Sequence, residues 1–118
     1  MPGSEGDTLL VLAPDADGLV ARLDGRLPGE LAVIACSDIA EARHRGAGAT
    51  LALGTPDLLA GVLDALPRLR WAQSTWAGVR PLVDHPRRDY TLTGVRGIFG
   101  QAMAEWTLGW LLALERGI

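Results

Sequence analysis

Two short segments hold the residue types that could do chemistry. The first, Ser74-Thr75-Trp76-Ala77-Gly78-Val79, places small residues between an apolar run and a helical stretch. A strand that passes through such a turn into a helix leaves backbone N–H groups unpaired and facing solvent. Gly78 permits close approach or unusual dihedrals, and the positive end of the helix dipole favours an anion. A carboxylate would suit this turn; an ordinary strand–helix turn with a glycine for geometry is the alternative the residues alone leave open. The second segment, Val95-Arg96-Gly97-Ile98-Phe99-Gly100-Gln101-Ala102-Met103-Ala104-Glu105-Trp106, leads into the last helix. Arg96 is a candidate second cation for an acid substrate, with a plain solvated side chain as the alternative. The GxxG spacing carries weight only through its distance from the first segment.

The other reactive residue types point to structure rather than chemistry. His44 lies between Arg43 and Arg45 on a helix end and reads as solvated. His85 follows Asp84, but sequence neighbours rarely form a base and its orienting acid, and Pro86-Arg87-Arg88 reads as a surface loop. Cys36 sits in an apolar run and reads as a small core residue. No His, Cys and carboxylate set has metal-ligand spacing, so no metal is expected. All basic residues are arginine. Without lysine, Schiff-base chemistry and a P-loop are excluded.

The elements that must position these segments alternate in type. Thr8–Ala13, Leu31–Cys36, Thr50–Leu53, Leu69–Ser74 and Tyr90–Val95 read as strands. Helices are expected over Ala16–Leu23, with Asp15 or Asp17 as N-cap, and after Ser37-Asp38, where Asp38 and Glu41 have capping-box spacing. Thr55-Pro56-Asp57 opens another helix, a short one lies around Val79–Val83, and a long one starts at Gly100 or Gln101. Apolar strands between helices imply a parallel sheet covered on both faces. The fold class is therefore α/β, with a flavodoxin-like doubly wound sheet of order 2-1-3-4-5. Ligands of such sheets bind beyond the carboxyl ends of the strands, where Ser74–Gly78 and Arg96–Gly100 both fall.

With 118 residues the chain makes one domain, and its 48% apolar content rules out disorder by composition. A net charge of -3 with interspersed signs offers no nucleic-acid face. The apolar stretch Trp106–Leu114 is short of the roughly 20 residues a membrane span needs. A polar N-terminus and a single cysteine fit a cytoplasmic setting. The last helix, with Trp106, Leu108, Trp110, Leu111, Leu112 and Leu114, is apolar nearly all round. It reads either as a core helix or as one built to pack on a second domain or subunit, a homodimer included.

The segment Leu66-Pro-Arg-Leu-Arg-Trp-Ala-Gln-Ser-Thr-Trp-Ala-Gly-Val79, together with Val95–Trp106, resembles the D-isomer-specific 2-hydroxyacid dehydrogenase family. The resemblance implies that residues 1–100 are the substrate-binding domain and 101–118 an interdomain helix toward a nucleotide-binding domain. It implies that the amides of Ala77 and Gly78 hold the carboxylate of a 2-oxo or 2-hydroxy acid, with Trp76 as a pocket wall. Met103 would face cofactor and substrate, and Glu105 would brace the crossing. Where the family often has Asp after the first motif, this chain has Arg80. The cofactor would be NAD or NADP, bound mainly by the nucleotide domain, which also supplies the catalytic arginine and the His–Glu pair. No catalytic residue is therefore expected here, and these 118 residues alone are expected to be inactive, as a fragment or a truncated product. The rival is a non-catalytic flavodoxin-like interaction or ligand-binding module. Its specific forms fail on named residues: Gly54-Thr55 is no phospho-acceptor, and Ala13-Pro14-Asp15-Ala16-Asp17-Gly18 would repel a phosphate.

Overall fold

A computed structural model describes residues 6–118. Its elements run β1 (Thr8–Leu12), α1 (Ala16–Leu23), β2 (Ala32–Cys36), α2 (Ile39–Arg45), β3 (Leu51–Gly54) and α3 (Pro56–Ala60). A 3-10 turn at Leu63–Ala65 precedes β4 (Trp71–Ser74), α4 (Arg80–Asp84), β5 (Thr91–Thr93) and α5 (Gly100–Glu115). The five strands form one sheet of order β2-β1-β3-β4-β5, every pairing parallel. The flavodoxin-like order read from the sequence is the order found.

Alternation explains why both faces are apolar. In β1, Leu10 and Leu12 point to one face and Leu9 and Val11 to the other. The first face carries the larger core, where Ala42 of α2, Leu59 of α3 and Leu82 of α4 close over Leu10, Leu12, Ala52 and Ala72. The second face has only α1, whose Ala16, Leu19 and Val20 pack near Leu9, Val11 and Val33. Helices thus lie on both faces, as expected, three on the first and α1 on the second among the described residues. Beyond α1, the sheet bears an open apolar groove of about 550 Å³, lined among others by Leu9, Leu51, Leu53 and Trp71.

Local chemistry sets the boundaries. Asp38 caps α2 as expected, accepting from the Glu41 N–H at 2.7 Å. The Glu41 carboxylate reaches one residue further back than a capping box requires, to the Ser37 N–H at 3.1 Å. Asp15 and Thr55 hold the N-cap positions of α1 and α3, but neither side chain makes a capping bond. Gly54 ends β3 because a Cβ there would lie 2.1 Å from the Leu12 carbonyl oxygen. β2 is an edge strand and only Cys36 in it is buried, so it is less enclosed than its apolar sequence implied.

α5 stands apart from this body. None of its residues is buried, and it belongs to neither core cluster. The chain measures 60 × 35 × 28 Å, with a radius of gyration of 17.6 Å. A compact chain of this length would have about 13 Å. The core-helix reading of Trp106–Leu114 is excluded for the described residues; the helix projects.

Candidate functional site

The carboxyl edge of β4 builds a turn around one buried hydroxyl. Ser74 points into the larger core face and is fully buried. Its Oγ accepts from the Trp76 N–H at 3.0 Å and donates to the Trp76 carbonyl at 2.9 Å. Both polar groups of Trp76 are tied inward, which drives the chain into a bend at Thr75–Ala77. The next two amides, of Ala77 and Gly78, have no acceptor among the described residues, and both residues are exposed. Two adjacent free donors on a bend pinned from below can hold an anion. Trp76, 51% exposed, stands beside them.

Gly78 has no left-handed φ, and a Cβ on it would meet nothing within 4 Å. The unusual-dihedral reason for this glycine is withdrawn; open space in front of the backbone is what remains. The left-handed residue of the region is instead Gly97, at φ +75°.

The strand edge is braced by side chains that sequence patterning did not single out for a role. Trp71 Nε1 donates to Thr93 Oγ1 at 2.8 Å, and Thr93 donates to Gln73 Oε1 at 2.5 Å. Gln73 Nε2 donates in turn to the Ser74 carbonyl at 2.8 Å. This relay ties β5 to β4 one residue before the bend. The signal was present as polar residues at alternate positions in two apolar strands, 71, 73 and 93. At the neighbouring edge, Thr55 Oγ1 and Thr75 Oγ1 are buried without a hydrogen-bond partner among the described residues. The Thr75 N–H donates to the Gly54 carbonyl at 2.9 Å, so the two threonines follow adjacent strand ends.

The residue just before the second segment meets the first. A Cβ on Gly94 would lie 3.6 Å from the Trp76 carbonyl oxygen and 3.5 Å from Val79 Cγ1. The loop after β5 therefore rests on the turn after β4. Arg96, two residues on, is exposed and makes no ion pair or side-chain hydrogen bond among the described residues. Met103 is 65% exposed in the first turns of α5. Glu105 is exposed and accepts from Gln101 Nε2 at 3.0 Å, an i,i+4 bond within the helix; no bond from it to the crossing loop is present.

The remaining reactive groups are structural. His85 Nδ1 accepts from the Arg87 N–H at 3.1 Å, so that nitrogen is engaged in a turn. Asp84 pairs with Arg80 at 3.4 Å rather than with His85. Arg87, read from the sequence as part of a surface loop, is largely covered. Its guanidinium donates to the carbonyls of Leu63 (2.5 Å), Leu66 (2.8 Å) and Leu69 (3.4 Å), and to Asp89 at 2.6 Å. Burial pushes the Cys36 thiol above its ordinary pKa, which suits an inert core residue. Among the described residues no three His, Cys, Asp or Glu side chains gather as a metal set. Nor is any helix long and apolar enough to cross a membrane.

An open parallel sheet of this strand order, with small-residue turns at its carboxyl edge, defines a flavodoxin-like α/β domain. A D-isomer specific 2-hydroxyacid dehydrogenase family protein from Aeromonas salmonicida subsp. salmonicida A449 superposes on 97% of this chain, with a TM-score of 0.89 and 35% sequence identity. The chain spans 37% of that protein's length. No family model matches the sequence, and no curated protein does. By motif and by fold together, the chain is similar to the D-isomer specific 2-hydroxyacid dehydrogenase family.

A nicotinamide dinucleotide, which that family implies, has no cradle among the described residues. The polar cavity beyond β1 and β2, about 410 Å³, is lined by Asp15, Asp17 and Glu41 against the single cation Arg45. Its excess negative charge opposes a diphosphate. The sequence contains no GxGxxG. These residues do not fit the cofactor.

Proposed function

We propose that this chain is the substrate-binding portion of an NAD- or NADP-dependent oxidoreductase that interconverts a D-2-hydroxy acid and a 2-oxo acid. The observation that carries the reading is the pair of unengaged amides, Ala77 and Gly78, on a bend fixed by Ser74. The substrate carboxylate accepts from these two N–H groups, and Trp76 forms a wall beside it. Arg96 is a candidate cation on the rim, approaching the acid from the loop after β5. Met103 faces the cleft from α5.

In this division residues 1–100 hold substrate, and 101–118 lead toward a nucleotide-binding domain whose residues are not among these 118. Hydride transfer and proton transfer belong to that domain, so the chain contributes binding and orientation only. A cytoplasmic setting suits the lone, unoxidised thiol of Cys36.

Two amides anchoring one carboxylate in a half-open site give a Kd of about 1 mM. Titration of the 118 residues with pyruvate and with its neutral amide should show binding of the acid alone, and NADH should not be consumed with pyruvate or glyoxylate. Equal binding of acid and amide would remove the carboxylate reading. NADH oxidation above the buffer rate would overturn the division of labour. Failure to bind either compound would favour a non-catalytic interaction module.

A further inference from the structure

The carboxyl edge of the sheet is divided by charge. At the ends of β1 and β2, the polar cavity is lined by Asp15, Asp17 and Glu41 against Arg45, which is already paired with Glu41 at 2.7 Å. At the ends of β4 and β5 the sign reverses. Residues 74–83 and 94–104 contain Arg80 and Arg96 and no aspartate or glutamate. In a chain of net charge -3, that part of the rim is cationic. The fold brings both arginines to one contact. A Cβ on Gly94 would lie 3.5 Å from Val79 Cγ1 and 3.6 Å from the Trp76 carbonyl oxygen. Arg80 follows Val79 directly, and Arg96 is two residues beyond Gly94. Each guanidinium therefore extends from backbone within a few residues of that contact, on the segments that flank the unengaged Ala77 and Gly78 amides.

Helix stability does not explain Arg80. It opens α4 and Asp84 closes it. Each stands at the end where its charge is disfavoured, a cation among free N–H groups and an anion among free carbonyls. Their contact is 3.4 Å between two largely exposed side chains, a solvent-screened pair that contributes little. A ligand carboxylate displaces it at small cost. Arg96 is exposed and has no ion pair among the described residues.

We propose that Arg80 and Arg96 select a substrate with a second carboxylate, a 2-hydroxy or 2-oxo dicarboxylic acid. They hold its far carboxylate while the Ala77 and Gly78 amides hold the one beside C2. The inference rests on the carboxylate reading above and adds a substrate class to it. Charge decides between a monoacid and a diacid. Two neutral amides satisfy one carboxylate by hydrogen bonds, and two guanidiniums on the same rim leave positive charge that a monoacid does not neutralise. A diacid neutralises it. The guanidinium fork also matches the two oxygens of a carboxylate, which a neutral substituent on the substrate would not exploit.

Calorimetric titration of the chain with D-malate and with its C4 amide tests this, because the two differ in the second charge and hardly in size. At low salt the wild type should bind D-malate about tenfold more tightly than the amide. The preference should shrink as salt is raised. Arg80→Gln and Arg96→Gln should each reduce it about threefold, and the two together should abolish it. Asp84→Asn should increase it, since Arg80 then loses its competitor. Equal binding of D-malate and its C4 amide by the wild type would overturn the proposal, as would a preference that survives the double substitution. Amide shifts at Ala77 and Gly78 read the underlying site separately. If pyruvate moves them while D-malate shows no preference, the diacid proposal falls and the carboxylate reading stands. If neither acid moves them, the carboxylate reading falls and the diacid proposal with it.

Discussion

At the scale of single residues, Ser74 matters more than the exposed residues it supports. Its hydroxyl is both donor and acceptor to Trp76, and it has no solvent contact. Ser74→Ala leaves the Trp76 N–H and carbonyl without those partners, and the bend loses the reason for its shape. The expected cost is about 1–2 kcal/mol in urea unfolding, with carboxylate affinity reduced about three- to tenfold. Unchanged affinity in a folded Ser74→Ala chain would separate the bend from the site. Arg87 shows a different principle. In sequence it sits among Pro86, Arg88 and Asp89 and looks solvated; in the fold it gathers three carbonyls released between the 3-10 turn and β4. Nothing local to Arg87 encodes that, because its acceptors lie 18 to 24 positions away.

At the scale of elements, strand order, and with it the place of the candidate bend after β4, was legible because it rests on patterns the chain repeats. The first four strands fall in apolar runs, and glycine, proline or capping acids stand in the turns between elements. The relay Trp71–Thr93–Gln73–Ser74 was not legible, since it depends on register between β4 and β5, and no local pattern carries register. The same applies to Asp7, which joins the start of β1 to the start of β4. It accepts from Arg70 at 2.6 Å and from Thr50 Oγ1 at 2.9 Å. The Arg70 hydrogen bond, followed in order by an opposing effect of desolvation and a further bond from Thr50, holds the Asp7 carboxyl below the usual carboxylate range. Because the folded pKa lies below the unfolded one, the unfolded chain binds more protons as pH falls. The stabilisation is complete above about pH 4 and is lost as pH drops through the depressed folded value. Asp89, lowered first by its Arg87 hydrogen bond, acts with the same sign. Acid titration followed by circular dichroism should therefore show Asp7→Asn with a shallower loss of stability below pH 4 than wild type. Parallel curves would show that the Asp7 link is not formed.

At the scale of the whole molecule, the two motifs that carried the family resemblance have unequal fates. The turn after β4 is a closed bend pinned by Ser74 with two unengaged amides, whereas α5 leaves the domain with its apolar surface uncovered. An all-round apolar helix announced in the sequence that it needs cover; its composition could not say whether its own sheet would supply it. The central claim is that the Ala77 and Gly78 amides hold the substrate's carboxylate. Amide-resolved NMR of the uniformly ¹⁵N-labelled chain, titrated with pyruvate, tests it most directly. The account requires saturable shifts centred on Ala77 and Gly78, with Trp76 and Val79 following and the β2 edge unmoved. Shifts scattered over the arginine-bearing surface, with Ala77 and Gly78 unchanged at saturating acid, would contradict it.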